Sequence, residues 1–338
     1  LSHFRTIIGI EKESLLKELD HGFGYLQNLE NFEYQERYFV NSRNEILFTP
    51  IYKQKSNARG LVFVVPGFGD TSPTLWSDFC LRRPIIESLL KKGFHVASID
   101  HAGHGRSEGL PMFVSDFEQH LVGDVQAVIN EAKKTLQTDQ LPVFVYGESM
   151  GGNISLRLLL NGQASKSFAG GVLVAPMTQI GEDVKPPAWQ VPLLRLASKV
   201  FPAAAIIPNK VETEGFKNPN DCVRCKQSPL SSPVDSIRLA TADACMSACE
   251  TLAPRFKELT TPFILIHGKS DTVIPLPFSQ MLFDTAGSKE KVFKQYDDVY
   301  HCINAEEPKL LQPILNDIVE WLDARVKSIE NEDDVNEN

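Results

Sequence analysis

The chain has 338 residues, of which 42 % are hydrophobic and 23 % charged, and it carries a net charge of −9. This length is sufficient for one large domain, or for a core with an insertion, and the composition is typical of globular proteins. The acidic balance argues against a nucleic-acid partner, since phosphates attract basic patches. No apolar run approaches the roughly 18 residues that suggest a membrane span.

Cysteine usage and glycosylation signals bear on the compartment. The six cysteines are too few for a disulfide framework in a chain of this length. The single N-x-S/T sequon begins at Asn153, inside a predicted buried helix where a glycan has no room. Both features favour a reducing, cytoplasmic location. Because the chain begins at Leu1 and not at Met, removal of an N-terminal leader is compatible with the sequence.

Hydrophobic periodicity predicts strands and helices that alternate along most of the chain. Residues 1–33 are expected to form a short helical lead-in. The predicted strands are 36–40, 45–52, 61–65, 94–99, 143–146, 171–174, 263–266 and 291–296. The predicted helices are 84–92, 117–136, 150–160, 278–286 and 308–327. This alternation indicates an α/β fold, with a mostly parallel central sheet covered by helices on both faces.

The alternation is interrupted between residues 178 and 258, where prolines and helical segments occur without a clear strand. We interpret this segment as a mainly helical cap insertion between the core segments 34–177 and 259–328. The last residues, 329–338, are acidic and almost free of apolar side chains, which predicts a disordered tail.

The strongest chemical signal is Gly147-Glu148-Ser149-Met150-Gly151, which directly follows a predicted strand and begins a predicted helix. A sharp strand-to-helix turn at a G-x-S-x-G motif exposes the serine hydroxyl at the carboxyl edge of a sheet. Ser149 is therefore the candidate nucleophile. The N–H of Met150, at the helix N-terminus, is a candidate oxyanion donor. The alternative is a glycine-rich helix start with Ser149 as its N-cap.

A serine hydroxyl is a weak nucleophile unless a base accepts its proton. Only His267 and His301 follow Ser149, and with this motif the histidine comes last in chain order. His301 lies between the last predicted strand and the final helix, at the edge where Ser149 is expected, so we favour it as the base. His267 ends its own strand and is also interpretable as a structural histidine.

The base needs a carboxylate that fixes its tautomer and stabilises the imidazolium. Asp271 lies a few residues beyond the strand 263–266, which places it at the same sheet edge. Asp297 and Asp298 are nearer to His301 in sequence, but both are also typical turn residues, as is Asp271. We favour Asp271 as the acid.

Acyl transfer requires a second oxyanion donor beside Met150. The segment Pro66-Gly67-Phe68-Gly69-Asp70 follows the predicted strand 61–65, and the N–H of Phe68 is the natural candidate. The alternative is a glycine-rich turn with no chemical role.

Two other groups of residues resemble sites but receive a structural interpretation. His101 and His104 precede Ser149, so they have the wrong order for its base, and a rigid glycine-rich loop explains them better. The pairs Cys222–Cys225 and Cys245–Cys249 have zinc-like separations, but the second pair also fits one buried helix face. No metal and no cofactor are expected.

The segments 100–107, 147–152, 174–177 and 267–271, together with Tyr300-His301, form a specific set of motifs. They resemble the monoacylglycerol lipase family, in particular its plant and protist branch of lipases, lysophospholipases and caffeoylshikimate esterase-like proteins. The likeness extends from about residue 34 to 326. It implies an α/β-hydrolase fold, the triad Ser149, Asp271 and His301, the oxyanion donors Phe68 and Met150, and no structural metal.

One position departs from the pattern of that family. The family usually has His-Gly-x-Gly at the first oxyanion loop, and here Pro66 occupies the first position. Because backbone N–H groups stabilise the oxyanion, we expect catalysis to be retained. The resemblance also places Asp70 near the alcohol moiety of a substrate.

The predicted cap contains an apolar segment from Val191 to Ile207. Helical spacing places Leu193, Leu194 and Phe201 on one face, with Arg195 opposite. This face predicts an acyl-chain tunnel above the serine. It is also suited to contact with a membrane surface, or simply to packing of the cap onto the core.

The predicted reaction is ester hydrolysis through an acyl-enzyme, with monoacylglycerols or lysophospholipids as substrates and a free fatty acid as product. The expected partners are a small lipid ester and, transiently, a membrane surface; no nucleic acid is expected. The alternatives are a carboxylesterase for other esters, such as hydroxycinnamoyl esters, and a catalytically silent binding protein of the same fold.

Overall fold

The structure, a computed structural model, describes residues 26–28, 31–72, 82–161, 167–181, 185, 187–210, 214–227 and 236–336. The strands are β1 (Leu26–Asn28), β2 (Phe32–Val40), β3 (Ile46–Gln54), β4 (Leu61–Val65), β5 (His95–Ser98), β6 (Val143–Glu148), β7 (Gly170–Val174), β8 (Ala205–Pro208), β9 (Ser236–Arg238), β10 (Phe263–Gly268) and β11 (Lys291–Tyr296). The helices are α1 (Arg83–Lys91), α2 (Gly123–Leu136), α3 (Met150–Leu160), α4 (Val191–Val200), α5 (Pro219–Gln227), α6 (Leu239–Leu252), α7 (Leu276–Thr285) and α8 (Pro308–Asn336).

Nine strands form one sheet in the order β1-β2-β3-β5-β4-β6-β7-β10-β11. The strands β1, β2 and β3 are antiparallel to their neighbours, and the six strands from β5 to β11 are parallel. Every residue of β4, β6 and β7 is buried, as continuous apolar runs require when helices cover both faces. The predicted α/β architecture is confirmed.

Alternate side chains of the central strands enter two separate cores, because successive residues of a strand point to opposite faces. Phe63 of β4 packs with α2 and α3 on one face. Val64, its neighbour, packs with α1 and α8 on the other. The loops that follow β4, β6, β10 and β11 leave the sheet at one carboxyl edge. These loops carry Phe68, Ser149, Asp271 and His301.

Residues 178–258, here called the cap segment, lie between β7 and β10 and contain α4, β8, α5, β9 and α6. Ala248 and Leu252 of α6 belong to the same core as α3, so this helix anchors the cap segment to the sheet layer. The strands β8 and β9 pair antiparallel, so the prediction that this segment lacks strands is wrong. Both strands are short and none of their residues is buried, so they leave no apolar run in the sequence.

Two predictions for the chain ends are wrong where the structure describes them. Residues 26–28 and 32–33 belong to β1 and β2 and not to a helical lead-in; residues 1–25 and 29–30 lie outside the described residues. The predicted disordered tail is helical up to Asn336. Glu332 supports this helix locally, since it accepts a hydrogen bond from Ser328 and pairs with Arg325.

The final helix α8 is the longest described element and is apolar on one side only. Ile314, Ile318 and Leu322 are buried against the sheet, and the spacing of four residues places them on one face. No helix among the described residues is both long and apolar enough to cross a membrane.

Candidate active site

Ser149 stands between the end of β6 and the start of α3. Its backbone has φ 50° and ψ −115°, a positive-φ conformation that costs energy for a residue with a Cβ. A Cβ on Gly151 would lie 2.1 Å from the carbonyl oxygen of Val65 in β4, so only glycine lets α3 approach the sheet this closely. The strained turn places Ser149 at the carboxyl edge of the sheet, where the motif predicts it.

His301 and Asp271 come together from two neighbouring loops at this edge. The Nδ1 atom of His301 lies 2.7 Å from Oδ2 of Asp271, and both side chains are buried. The second carboxylate oxygen, Oδ1, accepts hydrogen bonds from the N–H groups of Val273 and Ile274, each at 2.9 Å. The carboxylate is therefore fixed on one side by the backbone and orients the imidazole on the other. Since Nδ1 is engaged, Nε2 is the nitrogen left to exchange a proton.

Burial and charge act in opposite directions on this pair. Burial of Asp271 would raise its pKa, but the nearby His301 and the hydrogen bonds from His267 and His301 lower it below its ordinary value. Burial of His301 would lower its pKa, but the Asp271 carboxylate outweighs this and raises it above 6.5. The carboxylate thus remains ionised and makes the imidazole a stronger base.

His267, the other histidine that follows Ser149 in the chain, has different partners. His267 is fully buried at the end of β10. Its Nδ1 lies 2.8 Å from Oγ of Ser279 and its Nε2 lies 2.7 Å from the carbonyl oxygen of Ile274. With both nitrogens hydrogen-bonded and 3.3 Å between Nε2 and Asp271, this histidine supports the acid and has no nitrogen left for a substrate.

Asp297 and Asp298, the alternative acids, lie on the surface and pair with lysines. Asp297 contacts Nζ of Lys269 at 2.8 Å, and Asp298 contacts Nζ of Lys217 at 2.5 Å. Asp298 has φ 60°, as expected for a turn residue. The geometry around His301 therefore favours Asp271 over both.

The segment 66–70, here called the oxyanion loop, is held from behind by the glycine-rich segment 100–107. Nε2 of His101 donates to the carbonyl oxygen of Pro66 at 3.1 Å. The buried carboxylate of Asp100 accepts the N–H of Ser72 at 2.5 Å and that of Arg106 at 2.8 Å. Pro66 thus stands where the family usually has a histidine, but its carbonyl oxygen is held by the hydrogen bond from His101. No described residue accepts a hydrogen bond from the N–H of Phe68.

An apolar pocket opens directly beside Ser149. Its lining comes from the oxyanion loop, the segment after β7, the cap segment and the loop after β10. It contains one charged side chain, Lys185, and no carboxylate among the described residues. The lining residues are Phe68, Ser149, Met177, Ile180, Lys185, Ile207, Ile237, Thr241, Ala242, Cys245, Met246, Val273 and Ile274.

The predicted acyl-contact residues of the cap lie elsewhere. Leu193 and Phe201 are 60 % and 64 % exposed and are absent from the pocket lining, so the prediction that they line it is wrong. Leu194 lines a second cavity, which shares Ile207 and Lys185 with the first. The apolar face of α4 points outward, and helical spacing alone does not distinguish an inward face from an outward one.

A cluster of charges, of which Arg82 and Glu148 are buried and Asp70 is partly exposed, adjoins Ser149. Of its members, only Asp70 was singled out from the sequence as a site residue. One nitrogen of Arg82 lies 2.5 Å from Oδ2 of Asp70 and 2.6 Å from Oε2 of Glu148. A Cβ on Gly67 would stand 2.8 Å from the Asp70 oxygen and 3.5 Å from Cβ of Ser149. Asp70 thus lies close to the nucleophile but outside the lining of the apolar pocket.

Comparison with known proteins agrees with this geometry. The model of the family described as "Serine aminopeptidase, S33" matches residues 56–308. The chain belongs to this family. The S33 match includes the oxyanion loop, the turn at Ser149, the whole cap segment and the loops of Asp271 and His301. It therefore supports a hydrolase whose site is built at the carboxyl edge of the sheet.

Individual relatives of this S33 chain include lipases and an esterase. Rat monoglyceride lipase is 26 % identical over 300 residues, which cover 88 % of this chain and 93 % of the relative. Caffeoylshikimate esterase of Arabidopsis thaliana is 25 % identical over 292 residues, which cover 86 % of this chain and 85 % of the relative. The solved structure of a soluble monoglyceride lipase variant from Saccharomyces cerevisiae, in complex with a substrate analogue, superposes with a TM-score of 0.71. It is 19 % identical and covers 89 % of this chain and 94 % of its own. The fold is that of α/β-hydrolases.

The Asp271→Asn variant tests the role of the buried carboxylate. Turnover should fall by roughly 10⁴-fold, because the imidazole loses the acceptor that fixes its tautomer. Neutral His301 is the form that accepts a proton, so activity of the unaltered protein should rise with pH through a pKa above 6.5. Without the carboxylate that raises this pKa, the residual activity should rise at a lower pH. The measurement is the pH profile of kcat/KM for p-nitrophenyl acetate.

The surface variants Asp297→Asn and Asp298→Asn are the matched controls for this prediction. Both should retain activity within a few-fold, because their lysine partners are exposed and such pairs contribute little. A large loss in Asp298→Asn together with near-normal Asp271→Asn would reassign the acid.

Proposed function

We propose that this S33 protein is a serine ester hydrolase that cleaves monoacylglycerols to a free fatty acid and glycerol. Ser149 is the nucleophile, His301 the base and Asp271 its acid partner. The observation that carries the proposal is the apolar pocket beside Ser149, which has no carboxylate among its described lining residues and lies at the sheet edge from which the loops of the buried His301–Asp271 pair also emerge. Such a lining suits the burial of an apolar acyl chain.

The reaction proceeds through an acyl-enzyme. His301 accepts the proton of Ser149 as its oxygen attacks the ester carbonyl, and returns that proton to the leaving alcohol when the C–O bond breaks. A water molecule then attacks the acyl-enzyme, again with His301 as base, and the fatty acid leaves as Ser149 recovers its proton. Asp271 stabilises the imidazolium that forms in both halves.

Negative charge develops on the carbonyl oxygen in both tetrahedral intermediates. The N–H of Phe68 and the N–H of Met150 are the proposed donors. Met150 is the first residue of α3, where N–H groups have no acceptor within the helix and the helix dipole favours an anion. The carbonyl of Pro66, fixed by His101, supports the loop that carries Phe68.

The charged cluster favours a neutral alcohol moiety. Asp70 and Glu148 share the single guanidinium of Arg82, so carboxylates are in excess beside the nucleophile. We propose that Asp70, whose side chain is 38 % exposed, accepts a hydrogen bond from a glycerol hydroxyl. A phosphate at the same place would meet like charge, which makes monoacylglycerols better substrates than anionic lysophospholipids.

Esters of hydroxycinnamic acids are the second candidate substrates, because one relative is a caffeoylshikimate esterase. The pocket lining offers aliphatic and sulfur-containing side chains, and Phe68 is its one aromatic residue among the described residues. An aliphatic pocket suits an acyl chain at least as well as a planar ring.

The outward apolar face of α4 suits contact with a lipid surface. Trp189, Leu193, Leu196, Val200, Phe201 and Ile206 are each at least 60 % exposed. Ile206 adjoins Ile207, which lines the pocket beside Ser149. We propose that this outer patch lies on a membrane, because the apolar substrate resides there and the patch and the pocket meet at β8.

The Ser149→Ala variant tests the nucleophile. Hydrolysis of a monoacylglycerol should fall on the order of 10⁴-fold, and labelling by a fluorophosphonate probe should disappear, because both require the hydroxyl. The control is Ser155→Ala, a buried serine of the same helix, which should retain activity and labelling. Appreciable activity in Ser149→Ala at an unchanged melting temperature would contradict the assignment.

A substrate series tests the pocket and the charged cluster. The kcat/KM of p-nitrophenyl esters should rise from acetate to octanoate, since each buried CH₂ contributes about 0.8 kcal/mol. Met246→Asp in the pocket should abolish this rise, whereas Leu193→Asp on the outer face should leave it intact. The kcat/KM for a monoacylglycerol should exceed that for lysophosphatidic acid by roughly tenfold or more, which corresponds to about 1.4 kcal/mol. The Asp70→Asn variant should reduce this ratio of the two kcat/KM values.

A flat chain-length profile with fast turnover of caffeoyl esters would instead favour the second candidate. Hydrolysis of amino-acid p-nitroanilides in place of esters would favour a peptidase of the same S33 family.

The membrane contact is tested by sedimentation with phosphatidylcholine vesicles. The double variant Leu196→Glu, Phe201→Glu should lose vesicle binding and most activity on monoacylglycerol held in vesicles, because a charged face does not enter the interface. Its activity on soluble p-nitrophenyl butyrate should be unchanged. Met281→Glu, a charge at an exposed apolar residue of α7, is the matched control. Equal binding of all variants, or loss of a dimer in place of loss of vesicle binding, would contradict the proposal.

A further inference from the structure

The residue before the nucleophile, Glu148, has an unusual set of partners for a side chain that is almost completely buried. The hydroxyl of Tyr146 donates to Oε1 of Glu148 at 2.5 Å, and Nδ2 of Asn304 donates to the same oxygen. The other oxygen, Oε2, forms the ion pair with Arg82 at 2.6 Å. Three donors thus converge on one carboxylate, and two of them, Arg82 and Asn304, come from distant parts of the chain.

Each partner belongs to a different piece of the active site. Tyr146 is in β6, two residues before Glu148, so this contact supports the carboxylate from within its own strand. Asn304 lies three residues beyond His301, in the short helical turn Ile303–Ala305. Arg82 also forms an ion pair with Asp70 of the oxyanion loop, with 2.5 Å between a guanidinium nitrogen and Oδ2. Glu148 therefore joins the nucleophile turn to the loop of the base and, through Arg82, to the oxyanion loop.

The turn that carries Asn304 transmits its position to His301. The carbonyl oxygen of His301 accepts the N–H of Ile303 at 2.9 Å, and that of Cys302 accepts the N–H of Ala305 at 2.8 Å. These bonds make residues 301–305 one compact unit. Asp271 holds the imidazole at one nitrogen only, so the distance from His301 to Ser149 depends on how this unit is fixed. The Asn304–Glu148 bond is a side-chain contact that ties this unit directly to the strand of Ser149.

We propose that Glu148 is a positioning residue, which holds the loop of the base against the nucleophile turn through Asn304 and the oxyanion loop through Arg82. This inference rests on the proposed roles of Ser149 and His301, but not on the identity of the ester. An apolar or small residue at position 148 would leave Asn304 without this acceptor and would remove one of the two carboxylates that pair with Arg82, so that Asp70 alone would balance the buried guanidinium. Removal of one partner from a buried ion-pair cluster is unfavourable.

The carboxylate also acts on the base through space. The charge of Glu148 is one of the smaller influences that raise the pKa of His301, after the opposing burial, the contribution of Asp271 and the charge of Asp70. Loss of this charge should therefore move the acid limb of the pH profile to lower pH. Loss of Asn304 alone removes the hydrogen bond and leaves the charge in place, so the two effects are separable.

The experiment uses the full chain and p-nitrophenyl butyrate, which reports on any serine esterase. Asn304→Ala should lower kcat by roughly 10- to 100-fold with KM almost unchanged, because a displacement of about 1 Å at the base can cost 10²-fold. Glu148→Gln keeps an oxygen for Asn304 but loses the charge, so it should shift the acid limb to lower pH, which Asn304→Ala should not do. Glu148→Ala with Asn304→Ala should lose little more than Glu148→Ala alone.

The control for loss of a buried carboxylate is Asp124→Asn, which lies in α2 and pairs with Arg43 and Asn41 away from the site. It should lower the melting temperature without changing kcat per active site, as counted by fluorophosphonate titration. Full kcat in Asn304→Ala, or kcat losses in all Glu148 variants that vanish when corrected for active sites, would overturn the proposal. Activity that survives in Ser149→Ala would instead overturn the proposed function, so the two failures are distinguishable.

Discussion

The close approach of α3 to the end of β4 is the constraint on which the rest of the site depends. The helix reaches the sheet only because Gly151 has no side chain opposite the Val65 carbonyl, and this approach forces Ser149 into its positive-φ turn. The strain is maintained by the continuous buried strands on both sides, which fix where β6 ends and α3 begins. Once the hydroxyl is placed there, base and oxyanion donors have to come from the loops of neighbouring parallel strands.

Around this fixed serine the environment differs sharply between two sides. The pocket, whose lining is mainly apolar and includes Ile207, Ile237 and Met246, offers chiefly dispersion and burial. Asp70 and Glu148 with Arg82 offer charge and hydrogen bonds. An ester of a fatty acid with a polyol also has an apolar part, the acyl chain, and a polar part, the alcohol, and the scissile bond lies between them. The match of these two parts to the two sides of the site, and not the catalytic residues alone, directs the proposal toward acylglycerols.

Sequence patterns within short segments predicted those features of the fold and the site that depend on neighbouring residues alone. The central strands, the turn at Ser149 and the loops of Asp271 and His301 follow from apolar runs, glycine spacing and chain order. The network of Arg82, Glu148 and Asn304 was not predictable, because its members are separated by 66 and 156 positions and each is an ordinary polar residue in sequence. The orientation of Leu193 was predicted wrongly for a related reason: the same amphipathic spacing serves a face that packs inward or one that faces outward, and tertiary packing decides.

The cap segment is bonded to the catalytic edge at several places, which limits how it moves. Oγ1 of Thr241, in the pocket lining, donates to the carbonyl oxygen of Met112 at 3.0 Å. The carbonyl oxygen of Gly215 accepts the N–H of Cys302, next to His301, at 2.8 Å, and Lys217 pairs with Asp298 of the same loop. A cap that opened as a free lid would break these bonds and release the loop of His301. Because β8 carries both the exposed Ile206 and the pocket residue Ile207, the proposed outer patch and the pocket are adjacent at this strand, and the proposed transfer of substrate between them does not require those bonds to break.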